Sequence, residues 1–300
     1  MTRSVVRDYV RWATYVLSRA GVPSPEHDAW ALLEHASGMT RAQLSALRAV
    51  CPADVPGAET FEEEYVARRM HREPLQHITG RAYFRHLTLA VGPGVFVPRP
   101  ETELVAGAAI MAARLVDHWP PVVVDLGTGS GAIALAVADE VPEAQVHAVE
   151  ADEAAYTWAT INCAAANIEL RHGDMAHAFH DLDGMVDVVV CNPPYIPLNA
   201  IIRDPEVAAH DPATALWAGQ DGLDAIRVVE EVAARLLRAG GTVVVEHADL
   251  QGQSARTVFS STVRWRHVRD HPDLAGRDRF LTATRAEAPG SCPRLTTFSG

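Results

Sequence analysis

The chain contains no lysine: its 26 basic side chains are all arginine, set against 38 acidic ones, for a formal net charge of −12. The choice of arginine over lysine carries no mechanistic meaning, but the sign of the balance does. A protein that grips a phosphate backbone normally shows a basic excess or a basic stripe. Neither is present, which argues against a free-standing nucleic-acid enzyme. Cysteine is scarce: Cys51, Cys163, Cys191 and Cys292 are scattered without a CxxC pair, the pattern of a reduced, cytosolic protein. Long apolar runs are missing too. The longest, Leu104 to Val116, is interrupted by Arg114 and is too short to cross a bilayer. The N-terminus has no secretory apolar core. The expectation is a soluble cytoplasmic protein with no membrane partner. The 14 histidines show no HExxH or Cys/His ligand spacing, so no metal is expected, and no Gly-x-Ser-x-Gly elbow appears. Internal repeats and low-complexity segments are also lacking.

What is present suits a packed globular protein. Hydrophobic residues make up 48% and charged residues 21%, and 300 residues suggest one large or two unequal domains. Residues 1–78 read as a helical bundle. Val6, Tyr9, Val10, Ala13, Val16 and Leu17 recur at helical spacing up to Gly21. Ser24 with Pro25 opens a helix through Ala36 that ends at Gly38, Thr40 caps a third, and Thr60 with Glu63 fits a capping box for a fourth. The bundle carries no polar constellation of its own, so it is either a docking module for a substrate or partner or an appendage for stability. Residues 79–98 read as a hairpin linker, with β-type alternation broken by Gly92, Pro93 and Gly94.

From 99 to 285 short apolar runs alternate with helical segments. Strands are expected at Val122–Leu126, Val146–Val149, Ile168–Arg171, Val186–Cys191 and Thr242–Glu246, with helices at about 131–139, 153–166 and 223–239. Val263–Val268 and Phe280–Thr284 would add two closing strands. Strand–helix alternation implies an α/β fold with a mostly parallel sheet covered on both faces. Residues 286–300 turn to Pro, Gly, Ser and Thr and are expected to fray.

Two motifs carry the chemistry. In the first, the strand Val122–Leu126 runs into Gly127-Thr128-Gly129-Ser130-Gly131. Glycines there allow a tight turn and the close approach of a ligand at the carboxyl edge of the sheet. A dinucleotide loop would read G-x-G-x-x-G, but here the third glycine arrives one place early. With Asp125 ahead of it, the run resembles motif I of class I methyltransferases, where the methionine part of S-adenosyl-L-methionine sits over the loop. The next strand ends at Glu150, placed to accept both ribose hydroxyls, as in either cofactor class. Gly173-Asp174-Met175 follows the third strand, where class I enzymes bind adenine; Asp174 would accept from the amino group and Met175 would pack on the ring.

The second motif, Asn192-Pro193-Pro194-Tyr195, directly follows the fourth strand. An amide nitrogen is a poor nucleophile because its lone pair is delocalised into the carbonyl. Acceptors that hold the NH2 and aim it can overcome that. The Asn192 side-chain oxygen and the Pro193 carbonyl supply two. Pro193 and Pro194 stiffen the loop, and Tyr195 offers a flat face to a planar group. The motif specifies a conjugated NH2 but not the polymer, so an exocyclic-amine (adenine-type) DNA or RNA methyltransferase stands as the alternative. A cofactor-binding scaffold without catalysis would need a damaged clamp, and this one is intact.

Taken with Phe96-Val97-Pro98-Arg99-Pro100-Glu101-Thr102-Glu103, Asp211-Pro212-Ala213-Thr214-Ala215-Leu216 and Asp221-Gly222-Leu223-Asp224, these motifs resemble the PrmC/HemK family, the peptide chain release factor glutamine methyltransferases. The likeness runs from about Arg72 to Arg285. It implies a class I methyltransferase fold with a seven-stranded, mostly parallel sheet and a smaller N-terminal helical domain that helps engage the release factor. It implies methyl transfer from S-adenosyl-L-methionine, with S-adenosyl-L-homocysteine as product, to the glutamine of a Gly-Gly-Gln loop. Gly127 to Gly131 would hold the cofactor, Glu150 its ribose and Met175 its adenine. Asn192 would touch both cofactor and substrate, and Asn192 to Tyr195 would clamp the glutamine. A monomer without direct nucleic-acid contacts is expected. Met175 stands where relatives often carry Trp, and Ala248 where they usually carry Gly. Arg99 and Glu101 read either as walls of the site or as a structural ion pair.

Overall fold

The structure, a computed structural model, describes residues 5–47 and 54–287; Cys51, Cys292 and most of the tail expected to fray lie outside them. Its contacts form two compact units. One runs to Ala82 and adds Ala90–Gly94 and Ile201–Asp211; the other holds Tyr83–Leu89, Val95–Ala200 and the chain from Pro212 onward.

The first unit is helical. Helix α1 (Val5–Arg19) buries Val6, Val10, Ala13 and Leu17, one face of a 3.6-residue repeat. Tyr9 and Val16 flank that face, half-buried. Helix α2 (Pro25–Ser37) begins on proline and stops at Gly38, whose φ of +67° is cheap only for glycine. Ser24, expected to cap it, makes no side-chain hydrogen bond there. Thr40 does cap α3 (Arg41–Ala46): its hydroxyl accepts from Gln43 N at 3.3 Å while Gln43 Oε1 accepts from Thr40 N at 2.9 Å. The box expected at Thr60 and Glu63 does not form. Gly57 (φ +67°) sits so close to the Ala36 carbonyl that a Cβ would lie 2.1 Å from its oxygen. The helix therefore starts at once, as α4 (Ala58–Thr60), and continues through a wide π-type turn, Phe61–Tyr65, into α5 (Val66–Met70). Thr60 lies inside it. Helix α6 (Leu75–Thr79) completes the N-terminal run.

Below the apolar cluster of Leu17, Leu32, Leu33, Leu44 and Phe61 sits a buried ion network. Arg69 Nε donates to Asp28 at 2.7 Å and its Nη2 to Glu206 Oε1 at 2.8 Å; Arg72 Nη2 reaches the same Glu206 oxygen at 2.7 Å. Glu206 belongs to α10 (Pro205–His210), capped by Asp204. The sequence reading placed this stretch in the methyltransferase domain, but it packs with the helices, because two arginines there offer its carboxylate partners.

The second unit is α/β. A hairpin of β1 (Arg81–Phe84) and β2 (Leu87–Ala90) forms at the boundary where alternation was expected. Then come α7 (Thr102–Arg114), β3 (Val122–Leu126), α8 (Ala132–Glu140), β4 (Gln145–Glu150), α9 (Glu153–Cys163), β5 (Ile168–His172) and β6 (Val186–Cys191). They are followed by α11 (Asp224–Leu236), β7 (Leu237–Glu246), α12 (Gly252–Ser260), β8 (Trp265–Pro272) and β9 (Asp278–Arg285). Among the described residues seven strands form one sheet, in the order β5-β4-β3-β6-β7-β9-β8. All pairings are parallel except those of β9 with β7 and β8. Every residue of β6 is buried, as for a central strand covered on both faces. The expected helix 223–239 stops at Leu236, since the chain is already pairing at Leu237↔Val186 before a register shift near Gly241.

The ion network yields a stability prediction. Arg69→Ala leaves Asp28 buried without its cation, a change worth about 3–5 kcal/mol. Urea unfolding followed by tryptophan fluorescence is expected to show that loss. Arg11→Ala, which removes an exposed 3.4 Å pair with Asp8, is expected to cost less than about 1 kcal/mol. Equal effects for the two variants would refute the assignment.

Candidate active site

Parallel register brings the strand ends together. Leu126 of β3 pairs with Val149 of β4 on one side and Cys191 of β6 on the other; Cys191 in turn pairs with Val245 of β7. The residues that follow, Gly127, Glu150, Asn192 and Glu246, therefore line one edge, with neighbouring strands about 4.8 Å apart. Glu150 pairs with His172 of β5, so Gly173 and Asp174 extend the same edge.

In the glycine turn all three glycines have positive φ: +67° at Gly127, +59° at Gly129 and +85° at Gly131. A Cβ at Gly127 or Gly129 would meet nothing within 4 Å, whereas one at Gly131 would lie 3.0 Å from Cys163 Sγ. The first two thus border open space, and the third lets the turn pack on α9. The side chains of Thr128 and Ser130 are buried. Thr128 Oγ1 donates to Asp125 Oδ2 at 2.6 Å, the oxygen that also accepts from Ala134 N at 3.1 Å; Ser130 O accepts from Asn162 Nδ2 at 2.9 Å. Burial pushes the Asp125 carboxyl up to about 7. Glu150 Oε2 accepts from Gly129 N at 2.8 Å, and Oε1 from Ala151 N and Asp152 N at 2.8 and 2.9 Å. Roughly one of its four lone-pair positions stays available to a ligand hydroxyl. Asp174 is exposed and its Oδ1 caps the turn Met175–His177 by accepting from Ala176 N at 2.9 Å. Met175 is half-buried and leans on the core of the sheet. An open glycine cradle edged by a carboxylate with spare acceptor capacity fits a nucleoside carrying a flexible polar tail.

On the other side of β3 stands the Asn-Pro-Pro-Tyr loop. Asn192 Nδ2 donates to Thr102 Oγ1 at 3.2 Å, and Thr102 Oγ1 donates to Glu246 Oε2 at 2.8 Å. Tyr195 OH makes a longer contact, 3.4 Å, with Glu246 Oε1. Among the described residues no group donates to Asn192 Oδ1 or to the Pro193 carbonyl. Pro193 is buried, Pro194 and Tyr195 half-buried. Burial pushes the Tyr195 hydroxyl above its ordinary range, and the Glu246 carboxylate adds to the shift. Glu246 is itself 1% exposed, and burial raises its carboxyl to about 7.

Two further stretches brace the loop from behind. Ile196 N donates to Leu216 O at 2.8 Å, Ala218 N to Ile196 O at 2.9 Å and Leu198 N to Gly219 O at 2.9 Å. Gln251 Nε2 donates to Tyr195 O at 3.0 Å and Gly222 O at 3.2 Å. Gly222 (φ +74°) passes so near that a Cβ would be 2.4 Å from Tyr195 O. The Asp-Pro-Ala-Thr-Ala-Leu and Asp-Gly-Leu-Asp motifs are thus supports for the loop. Arg99 lies over the Phe96 ring, 4.8 Å from its centroid, and Glu101 immediately precedes α7. Ala248 needs no positive φ; its N–H donates to Gln251 Oε1 at 3.0 Å, so alanine serves where glycine is usual.

Thr102 and Glu246 were missed as functional residues by sequence reasoning. The signal was there: a carboxylate closing an otherwise apolar buried strand requires a partner.

A family model described as PrmC N-terminal domain matches residues 8–80, and one described as Methyltransferase small domain matches residues 86–203. A release factor glutamine methyltransferase of Streptomyces coelicolor is 54% identical to this chain, over 92% of it and 97% of its own length. The chain belongs to the release factor glutamine methyltransferase family. Another such methyltransferase, from Mycolicibacterium smegmatis, is 46% identical over 95% of this chain and 99% of its own. A relative of different name, the 4-amino-L-phenylalanine/4-methylamino-L-phenylalanine methyltransferase of Streptomyces pristinaespiralis, is 43% identical over 74% of this chain and 76% of its own. The release factor glutamine methyltransferases thus share with this chain both the helical N-terminal part and the class I α/β domain.

The bracing predicts that Gly222→Ala, which forces a Cβ against the Tyr195 carbonyl, lowers methyl transfer by about 10²-fold through loop displacement. Calorimetric titration should find cofactor affinity little changed. A variant with normal turnover would show that the loop needs no support there.

Proposed function

We propose that this chain methylates the side-chain amide nitrogen of the glutamine in the Gly-Gly-Gln motif of peptide chain release factors, thereby modulating translation termination. The observation that carries the reading is a pair of acceptors to which no described residue donates, Asn192 Oδ1 and the Pro193 carbonyl, next to an open glycine turn. Acceptors so placed would bind both N–H bonds of a primary amide, draw its nitrogen out of conjugation and orient the lone pair. Tyr195 would pack on the amide plane, and Pro194 would hold the loop rigid. S-adenosyl-L-methionine would supply the electrophilic methyl group for such an amide nitrogen and would leave as S-adenosyl-L-homocysteine. Gly127, Thr128, Gly129, Ser130 and Gly131 would cradle its amino-acid portion, Glu150 its ribose, Asp174 and Met175 its adenine, with Asn192 at the junction. The amide proton would be lost to water after transfer, so no strong base is required. The helical unit would dock the release factor, with the protein acting as a cytoplasmic monomer.

A second acceptor is favoured by the arylamine-methylating relative: an aromatic amine is also a planar, conjugated NH2. The match of residues 8–80 to a PrmC N-terminal domain supports the protein substrate over the small one. The net charge of −12 disfavours the DNA or RNA alternative. Incubation with cofactor and either a release factor or 4-amino-L-phenylalanine, read by mass spectrometry, separates the readings. One added methyl on the Gly-Gly-Gln peptide is expected. Asn192→Ala should lower the rate by about 10²–10³-fold, the scale for losing one aligned polar contact to the reacting group. An unmodified peptide from folded release factor would overturn the proposal.

A further inference from the structure

The hydrogen-bond chain behind the clamp has a direction, and the direction is set at its buried end. An ionised carboxylate only accepts, and a threonine hydroxyl has a single proton. With Glu246 Oε2 2.8 Å from Thr102 Oγ1, that proton goes to Glu246, leaving only lone pairs for Asn192. The amide must then present its nitrogen, which it does at 3.2 Å. Turned by 180°, it would set Oδ1 against a hydroxyl lone pair, two acceptors facing each other.

Resting on the proposed clamp role of Asn192, we infer that Glu246 is a positioning residue that acts through Thr102 to hold the Asn192 oxygen towards the substrate amide. Neither side chain touches the reacting atoms. Their contribution is to deny the amide its alternative orientation, in which an NH2 would confront the NH2 of the substrate. The three residues come from different elements, the tip of β7, the first turn of α7 and the loop after β6. The relay thus ties the Pro-Glu-Thr-Glu motif at the start of α7 to the Asn-Pro-Pro-Tyr loop.

Protonation of Glu246 reverses the logic. A neutral carboxyl can donate to Thr102, whose own proton then becomes free for Asn192 Oδ1, and the amide can turn. The charged and titratable groups acting on Glu246 are Arg279 on β9, which favours the ionised form, and Glu101 and the Tyr195 hydroxyl, of which Glu101 opposes it. Burial is the largest influence and raises the group to about 7. The ionised fraction grows as pH rises through that value, so activity should climb with it.

The test uses the full chain with cofactor and a folded release factor. Thr102→Val keeps the shape and removes the hydroxyl; kcat should drop by about 10²-fold with cofactor affinity unchanged, and Thr102→Ser should restore most of it. Glu246→Gln should lose the rising limb of the kcat profile around neutral pH. Independently of turnover, the Asn192 side-chain NH2 resonances, assigned by their absence in Asn192→Ala, should shift and exchange faster in Thr102→Val but not in Thr102→Ser. If the wild type does not methylate the release factor, the functional proposal fails while the NMR comparison still judges the relay. Unaltered NH2 resonances and unaltered kcat in Thr102→Val would overturn the relay.

Discussion

The site depends on one pairing: Leu126 at the end of β3 lies in parallel register with Cys191 at the end of β6. Two loops that are far apart in sequence leave the sheet at the same edge because of it. Cys191 Sγ, fully buried, also donates to the Leu126 carbonyl at 2.9 Å. A slip of one residue would turn the side chains of β6 to opposite faces, and the glycine turn and the proline loop would no longer meet. Asp187, the one charged residue of β6, resists such a slip, because its buried carboxylate accepts from Val122 N of β3 at 2.7 Å.

Each loop is then secured by the same device. A buried carboxylate at or near a strand end receives a threonine hydroxyl: Asp125 from Thr128 under the glycine turn, Glu246 from Thr102 under the clamp. Both carboxyls are raised to about 7, in each case chiefly by burial. Taking carboxylates out of water is costly, yet short acceptors on rigid strands place a loop more accurately than apolar packing does, because hydrogen bonds fix direction as well as distance.

Much of this was legible in the sequence, for reasons that differ by element. The central strands were readable because a covered parallel strand is almost purely apolar over a short run, and the turn glycines because positive φ admits little else. The helix caps were less so. Thr40 forms its box, whereas Ser24 makes no cap hydrogen bond, and Thr60 lies inside a helix that starts earlier, where Gly57 fits under the Ala36 carbonyl. The acceptors of the Asn-Pro-Pro-Tyr loop were readable from its composition, while the loop's supports were not: Thr102, Gly222, Glu246 and Gln251 reach it only through the folded chain. Met175 and Asp174 lie where expected along the edge, but one packs on the core and the other caps a turn, uses that local sequence does not distinguish from ligand binding.

The path of the chain around residues 201–211 bears on how the protein can be divided. Shortly after the clamp, the backbone leaves the α/β unit, contributes α10 to the helical one, and returns at Pro212. Glu206, within that detour, holds Arg69 of α5 and Arg72 just after it. A gene fragment starting after the hairpin would therefore still encode a piece of the helical body, with the Glu206 carboxylate orphaned. Evolution or engineering that swaps the N-terminal part must exchange this insert along with it, as one inherited cassette in two separated segments.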